Sequence, residues 1–152
     1  MTYEDLQDKY KDLFIKEMDL YEVNGLKGLY VDGCIAIDKN LSTTEKGCIL
    51  SEEIGHHLTS VGNILDQNID NNRKQEYKAR LYAYDLKIGL QGIIDSYEAG
   101  CTSIYTIAEH LDVTEDYLKD ALKVYEQKYG VYVVFNNYVI YFIPELGVLK
   151  RL

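Results

Sequence analysis

The sequence predicts a single α+β domain over residues 1–152, mostly helical and with short antiparallel hairpins. Two turn-forming pairs, Asp32-Gly33 and Asn136-Asn137, each lie between runs of β-branched and aromatic residues, which is typical of hairpins. Between them, apolar residues recur at the spacing of helices. The predicted order is therefore a helix, a hairpin, three or four helices and a second hairpin. Because strands and helices do not alternate, this order favours α+β over a βαβ sheet.

The N-terminal part is predicted to form one helix and the first hairpin. Apolar residues between positions 3 and 20 follow a spacing close to that of a helix. Glycines then interrupt this pattern. Residues 28–38 are predicted to form two short antiparallel strands that turn at Asp32-Gly33.

A long helix and a loop are predicted next. The helix covers roughly residues 44–59, and Ser42, Thr43 or Thr44 can cap its first turn. Residues 60–74 are polar, so they are predicted to form a loop.

The second half of the chain is predicted to be mainly helical. Residues 74–89 form a helix in which Ala79, Ala83 and Leu86 share one face. Residues 102–129 form two shorter helices, and the hairpin around Asn136-Asn137 closes the chain. We expect the part from about 102 to 152 to pack on the first half of the same domain.

One segment, 107–122, has the apolar rhythm of a DNA-binding helix-turn-helix, with Val113 in the turn. Its second helix is net acidic, however, whereas a helix that reads DNA is basic or neutral. We therefore interpret the segment as two packed helices, with His110 on their surface. The charged residues of the second helix are Glu115, Asp116, Lys119, Asp120, Lys123, Glu126 and Lys128.

The composition excludes several classes of protein. The net charge is −9, from 25 acidic and 16 basic residues, without the clustered Lys and Arg that phosphate binding needs. The three cysteines are widely spaced and odd in number, which argues against a disulfide framework and for a reducing compartment. The polar N-terminus does not resemble a secretory signal, and no apolar run is long enough to span a bilayer. We expect a cytoplasmic protein that binds neither DNA nor membranes.

Glu52, Glu53, His56 and His57 form a dense cluster of metal-binding residue types. Helix positions four apart are rotated by only about 40°, so Glu52 and His56 point the same way and could bind one cation. Glu53 is rotated by about 100° from Glu52, where its carboxylate could reach a metal-bound water, as in the H-E-x-x-H motif. Glu76, on the alanine face of the next helix, is the best candidate for a third ligand.

The same cluster has a simpler interpretation. Glutamates near a helix start are favoured by the helix dipole, so this segment could be a solvated surface with incidental histidines. His57 is rotated by about 100° from His56, and we expect it at the surface or supporting the site rather than binding metal. Spacing alone leaves both interpretations open.

Nearly the whole chain resembles the ImmA/IrrE family of small metallopeptidases, especially those of prophages and other mobile elements. The resemblance implies a zincin-like fold, with metal bound by His56 and Glu76 and with Glu53 as the general base. Tyr82 or Tyr84 could stabilise an oxyanion. The resemblance is carried by GLKGLYVDGCIAID before the motif helix, by I-L-x-E-E-x-G-H-H, by the downstream E-x-x-A-x-x-x-A and by KYGVY in the C-terminal half.

Glu52 departs from the family pattern, which usually has a histidine at this position. A carboxylate oxygen can also bind Zn²⁺, so a site with Glu52, His56 and Glu76 is chemically reasonable. Two carboxylates and one imidazole shift the preference towards harder ions such as Mn²⁺ and leave less positive charge to acidify a bound water. We expect Zn²⁺, with Mn²⁺ as the alternative, and weaker catalysis than in relatives with two histidines.

The resemblance also implies a function. Members of the family are expected to cleave a helix-turn-helix repressor of the same mobile element and so relieve repression. The alternative is a non-catalytic antirepressor that keeps the fold and a structural or vestigial metal site. The many tyrosines near the C-terminus fit either amphipathic packing or a protein-binding face.

Overall fold

The computed structural model describes residues 1–59 and 69–151. The chain divides into two compact units, residues 1–87 and residues 88–152. Among the described residues, no helix is both long and apolar enough to cross a membrane. All three cysteines are free thiols, as the spacing predicts.

The first unit combines a three-stranded sheet with helices. Strand β3 is central, with β1 parallel to it on one side and β2 antiparallel on the other, so β2 is an edge strand of the described sheet. The elements are α1 (Tyr3–Lys9), β1 (Phe14–Met18), α2 (Leu20–Asn24), β2 (Gly28–Val31), β3 (Cys34–Asp38), α3 (Thr43–Thr59) and α4 (Ile69–Lys87).

The prediction of one helix over residues 3–20 is wrong beyond the first turns. Helix α1 ends at Lys9, and the chain continues as β1, with Phe14 paired to Cys34 and Met18 to Asp38. Phe14 and Met18 are exposed, so their helix-like spacing does not mark a buried face. Backbone pairing with β3 determines the conformation of residues 14–18. Because β3 lies about twenty residues further along the chain, the local sequence pattern does not reveal this pairing.

The predicted first hairpin and motif helix are confirmed. Strands β2 and β3 turn at Asp32 and Gly33, both with positive φ. Of the three proposed caps, Ser42 is the residue whose hydroxyl accepts a hydrogen bond from the Glu45 backbone N–H, at 3.1 Å. The core between the sheet and α3 consists of Tyr3, Leu6, Ile35, Ile37, Leu50 and Ile54.

The predicted loop over residues 60–74 can be compared with the structure only from residue 69 onwards. Residues 60–68 lie outside the described part of the chain. Residues 69–74 are helical and belong to the start of α4, so the loop prediction is wrong for them. The polar composition of residues 69–74 misled the prediction. A helix can begin with polar turns when its later turns are packed, as those around Ala79 and Ala83 of α4 are. The predicted helix over residues 74–89 is confirmed by α4, which ends at Lys87.

The second unit contains three helices and an antiparallel sheet. Both predicted helices within residues 102–129 are confirmed, and Asp112, with φ of 55°, links them. The hairpin around Asn136-Asn137 is confirmed too, whereas a helix from 89 to 98 and a third strand were not predicted. The elements are α5 (Gly89–Glu98), α6 (Ile104–Leu111), α7 (Glu115–Tyr129), β4 (Tyr132–Phe135), β5 (Tyr138–Tyr141) and β6 (Gly147–Lys150).

The fold class is therefore α+β, as the sequence predicts, with helices dominating and small sheets in both units. The parallel pairing of β1 with β3 departs from the purely antiparallel hairpins that the sequence predicts. The assignment of residues 1–152 to a single domain, with residues 102–152 packed on the first half, stays a prediction.

Candidate active site

Helices α3 and α4 approach each other closely at Gly55. A Cβ atom built on Gly55 would lie 2.3 Å from the carbonyl oxygen of Ala79, which is far inside van der Waals contact. Ala79 and Ala83, the two alanines predicted to face α3, are 1% and 0% exposed. Small residues on both helices thus allow the two backbones to touch, and this contact sets the distance between side chains on α3 and those on α4.

This contact brings together His56 and Glu76, two of the three predicted metal ligands. The His56 Nε2 atom is 3.6 Å from Oε2 of Glu76. The other carboxylate oxygen of Glu76, Oε1, accepts a hydrogen bond from Nε of Arg80 at 3.1 Å. The side chains of His56 and Glu76 are 35% and 46% exposed, so the pair lies open enough for a ligand to reach it.

Glu53, the predicted general base, lies beside this pair but faces strand β2. A Cβ on Gly28 of β2 would lie 3.2 Å from Oε1 of Glu53, so the absence of a side chain at Gly28 makes room for the carboxylate. Burial, and then the nearby charges of Glu52 and Glu76, raise the pKa of Glu53 to about 7. The carboxyl groups of Glu52 and Glu76 are therefore within electrostatic reach of Glu53.

His57 does not point towards α4 with His56 but towards the sheet. Its Nδ1 atom is 2.8 Å from the hydroxyl oxygen of Tyr30 on β2. The two rings also meet edge to face, with centroids 5.3 Å apart and planes inclined by 69°. His57 thus lies on a different side of α3 from His56, in keeping with its rotation of about 100°, and its supporting role stays a prediction.

The donors at the site fit a divalent cation in chemistry and in part in position. In a tetrahedral site with bonds of about 2.1 Å, two ligand atoms are roughly 3.4 Å apart, close to the 3.6 Å between His56 and Glu76. Glu52, the third predicted ligand, is partly buried on the same helix. No three His, Cys, Asp or Glu side chains within residues 1–59 and 69–151 are arranged as a group that could hold an ion. Ligation by Glu52 therefore stays a prediction.

The two tyrosines proposed as oxyanion stabilisers lie on α4. The hydroxyl of Tyr82 is 3.0 Å from the hydroxyl of Tyr10, the residue that follows α1. The side chain of Tyr84 is buried, at 3% exposure. Their role in a reaction stays a prediction, whereas Tyr30 lies against His57 of the motif.

Four residues that shape the site were not predicted from the sequence: Gly28, Tyr30, Gly55 and Arg80. Gly55 carries a readable signal, because glycine inside a helix is unfavourable unless close packing requires it. Arg80 follows Glu76 at the i, i+4 spacing of helical ion pairs. Gly28 and Tyr30 carry no such signal, since their importance comes from the packing of β2 against α3.

The family of IrrE N-terminal-like domains, peptidase family M78, matches the chain over residues 3–123. This match covers most of the chain, including α3, α4 and every site residue described above. The chain belongs to this family. No curated protein and no solved structure matches the chain.

Membership in the IrrE N-terminal-like family makes the chain a member of a metallopeptidase family, in which a bound metal is implied. The zincin-like fold expected from the resemblance agrees with this membership. The matched region ends within α7, so the C-terminal sheet of β4, β5 and β6 lies beyond it.

Proposed function

We propose that this IrrE N-terminal-like protein is a cytoplasmic, metal-dependent endopeptidase. The observation that carries the proposal is the placement of Glu53 beside the His56–Glu76 pair, on two helices held together at Gly55. A half-buried carboxyl next to a nitrogen and an oxygen donor is the arrangement that metal-assisted hydrolysis requires. Zn²⁺ is the proposed ion. Mn²⁺ is the alternative, because carboxylates outnumber imidazoles among the proposed ligands and favour harder ions.

His56 and Glu76 would hold the ion, with Glu52 as the proposed third ligand. When bound there, a divalent cation acidifies a water molecule and polarises the carbonyl of the scissile peptide bond. Glu53 accepts the proton of the attacking water and then donates it to the leaving amine. Arg80 keeps one oxygen of Glu76 occupied, so the other oxygen faces His56.

Metal binding is tested by elemental analysis of the purified protein after incubation with Zn²⁺ or Mn²⁺. We expect about one ion per chain in the wild type and a large loss in His56→Ala. His110→Ala is the matched control, because His110 is an exposed histidine on α6 and should leave metal content unchanged. A wild type that holds no stoichiometric metal would refute the proposal.

The proposed substrate is a helix-turn-helix repressor encoded beside this protein on a mobile element. The family resemblance supports this substrate, and the charge of −9 suits a basic protein partner. The substrate is the protein and not its DNA, since α7 carries acidic residues where a DNA-reading helix needs basic ones. Incubation of the metal-loaded protein with that repressor should yield two fragments, and Glu53→Gln should yield none while keeping its metal.

The second candidate function is that of a non-catalytic antirepressor that binds the same repressor without cutting it. Two observations favour it. Glu52 replaces the usual histidine, and no group of three ligands is formed within the described residues. An intact repressor that loses DNA binding equally well with wild-type protein and with Glu53→Gln would establish this function and refute the endopeptidase.

A further inference from the structure

Helix α3 presents a second row of site residues towards strand β2. Ile49, Glu53 and His57 recur every four residues and so lie along one side of the helix. Gly28 and Tyr30 are two apart on β2 and therefore point to the same face of the sheet. A Cβ on Gly28 would meet Ile49 at 2.3 Å and Glu53 at 3.2 Å, and Tyr30 meets His57. The strand thus runs along this row, one helical turn separating Glu53 from His57.

Two contacts from Tyr30 fix the ring of His57. The hydroxyl oxygen lies 2.8 Å from Nδ1, and the aromatic rings meet edge to face. The direction of this bond depends on the tautomer of His57; we assign Tyr30 as the donor and Nδ1 as the acceptor, because a phenol O–H is a stronger acid than the N–H of a neutral imidazole. A hydrogen bond to one ring nitrogen determines which nitrogen bears the proton. The proton of His57 then lies on Nε2, on the opposite side of the ring.

Within the part of the chain that the structure describes, no hydrogen bond reaches Nε2 of His57. His57 is partly exposed, and within residues 1–59 and 69–151 its only hydrogen-bond partner is Tyr30. It is rotated by about 100° from His56 and lies on the side of α3 that faces β2, as Glu53 does. An N–H donor placed one turn from the proposed general base is suited to the carbonyl oxygen of a bound peptide.

We propose that His57 is a further catalytic residue, whose Nε2–H donates a hydrogen bond to the oxygen of the scissile carbonyl, and that Tyr30 is its positioning residue. The proposal rests on the endopeptidase function proposed above. The hydrogen bond strengthens as negative charge develops on that oxygen, so it contributes mainly to kcat. Tyr30 contributes indirectly, by fixing the tautomer and the orientation of the ring.

The positioning role is tested without any substrate, by ¹⁵N NMR of the imidazole nitrogens. The chain has only three histidines, so single variants assign the signals. We expect His57 to be the Nε2–H tautomer in the wild type and to lose this uniform state in Tyr30→Phe. Tyr138→Phe is the matched control, because it removes a tyrosine hydroxyl that is bonded to Glu98 in the second unit. An Nδ1–H tautomer in the wild type would overturn the positioning role.

The catalytic role is tested by cleavage of the neighbouring repressor under steady-state conditions. We expect kcat to fall roughly 100-fold in His57→Leu and about 10-fold in Tyr30→Phe, with KM, metal content and melting temperature unchanged. His57→Gln, whose amide can donate from nearly the same place, should recover part of the loss. Unchanged kcat in both variants, or a loss explained by lower metal content or stability, would overturn the role of His57.

The two proposals fail in different ways. If the wild type leaves the repressor intact, the endopeptidase function is refuted and the substrate contact of His57 with it. If the wild type cuts the repressor and the His57 variants cut equally fast, only the catalytic role of His57 is refuted. The tautomer of His57 separately decides whether Tyr30 orients its ring.

Discussion

The close contact between α3 and α4 predicts a large effect of a single methyl group. In Gly55→Ala the new Cβ would lie 2.3 Å from the carbonyl oxygen of Ala79, 3.0 Å from its carbonyl carbon and 3.3 Å from its Cα. Ordinary van der Waals contact begins near 3.4 Å, so the first distance is about 1 Å too short. The obstructing atoms belong to the backbone of α4 and cannot rotate away. The two helices must therefore move apart.

The energetic cost follows from this displacement. Overpacking a tight interface typically costs about 1–3 kcal/mol, and a backbone obstacle places Gly55→Ala near the upper end. Alanine is better than glycine inside a helix by about 1 kcal/mol, which offsets part of the loss. We expect a net loss of about 2 kcal/mol in the free energy of unfolding. For a chain of this size, that loss lowers the melting temperature by roughly 4–8 °C.

The same movement should damage the candidate metal site. His56 follows Gly55 directly, and its distance of 3.6 Å to Glu76 spans the two helices. A separation of about 1 Å takes this distance outside the range of two ligands on one ion. We therefore expect the affinity for Zn²⁺, measured by competition with a chelator, to fall at least 10-fold.

Gly47→Ala is the matched control for this prediction, because Gly47 is a buried glycine of the same helix. Its nearest obstacle is Nζ of Lys87 at 3.2 Å, followed by the backbone nitrogen of Tyr3 at 3.5 Å. We expect a change in the free energy of unfolding within about 1 kcal/mol, since relief of this contact needs a shift of only a few tenths of an ångström. Equal stability of Gly55→Ala and the wild type in thermal and urea unfolding would refute the reasoning from backbone contact.

Two further predictions concern side chains that hold other elements in place. Lys46 and Tyr3 donate hydrogen bonds to Glu17, at 2.6 Å and 3.0 Å, and hold the pKa of Glu17 below its ordinary value of 4.5. Ionised Glu17 therefore stabilises the fold above pH 4.5, and this contribution is lost as pH falls through the lowered pKa. Glu17→Gln should be less stable than the wild type by about 1 kcal/mol at pH 7, allowing for the partial exposure of Glu17. The difference between the urea midpoints of the two proteins should disappear below pH 4.5. A difference that stays constant with pH would contradict the pairing. Arg80→Met should weaken Zn²⁺ binding roughly 10-fold through the lost bond to Glu76 while changing stability little, and unchanged affinity would show that Arg80 is only a surface partner.

The sequence predicts best where a local signal determines the structure. The Asp32-Gly33 pair requires the positive φ angles that the first hairpin shows, and the serine before α3 supplies its cap. Helix periodicity placed the paired alanines on the buried face of α4. These features depend on residues within a few positions of one another, so they can be read without knowledge of the fold.

Features that depend on distant partners were missed. Strand β1 exists because β3 lies beside it, about twenty residues further along the chain. The third strand of the C-terminal sheet likewise depends on its pairing with β5. Within the site, the pairing of His56 with Glu76 followed from helix faces, whereas the contact of Tyr30 with His57 required the packing of an edge strand that no local pattern reveals.

The site has one part that lies on α3 itself and another part that neighbouring elements supply. The relative positions of Glu53, His56 and His57 are set by the hydrogen bonds of one helix and persist as long as that helix does. Glu76 and Tyr30 are supplied by neighbouring elements, through the contact of Gly55 with Ala79 and the packing of β2 against α3. Substitutions that inactivate the protein from a distance should therefore map to the interfaces of α3 with α4 and β2.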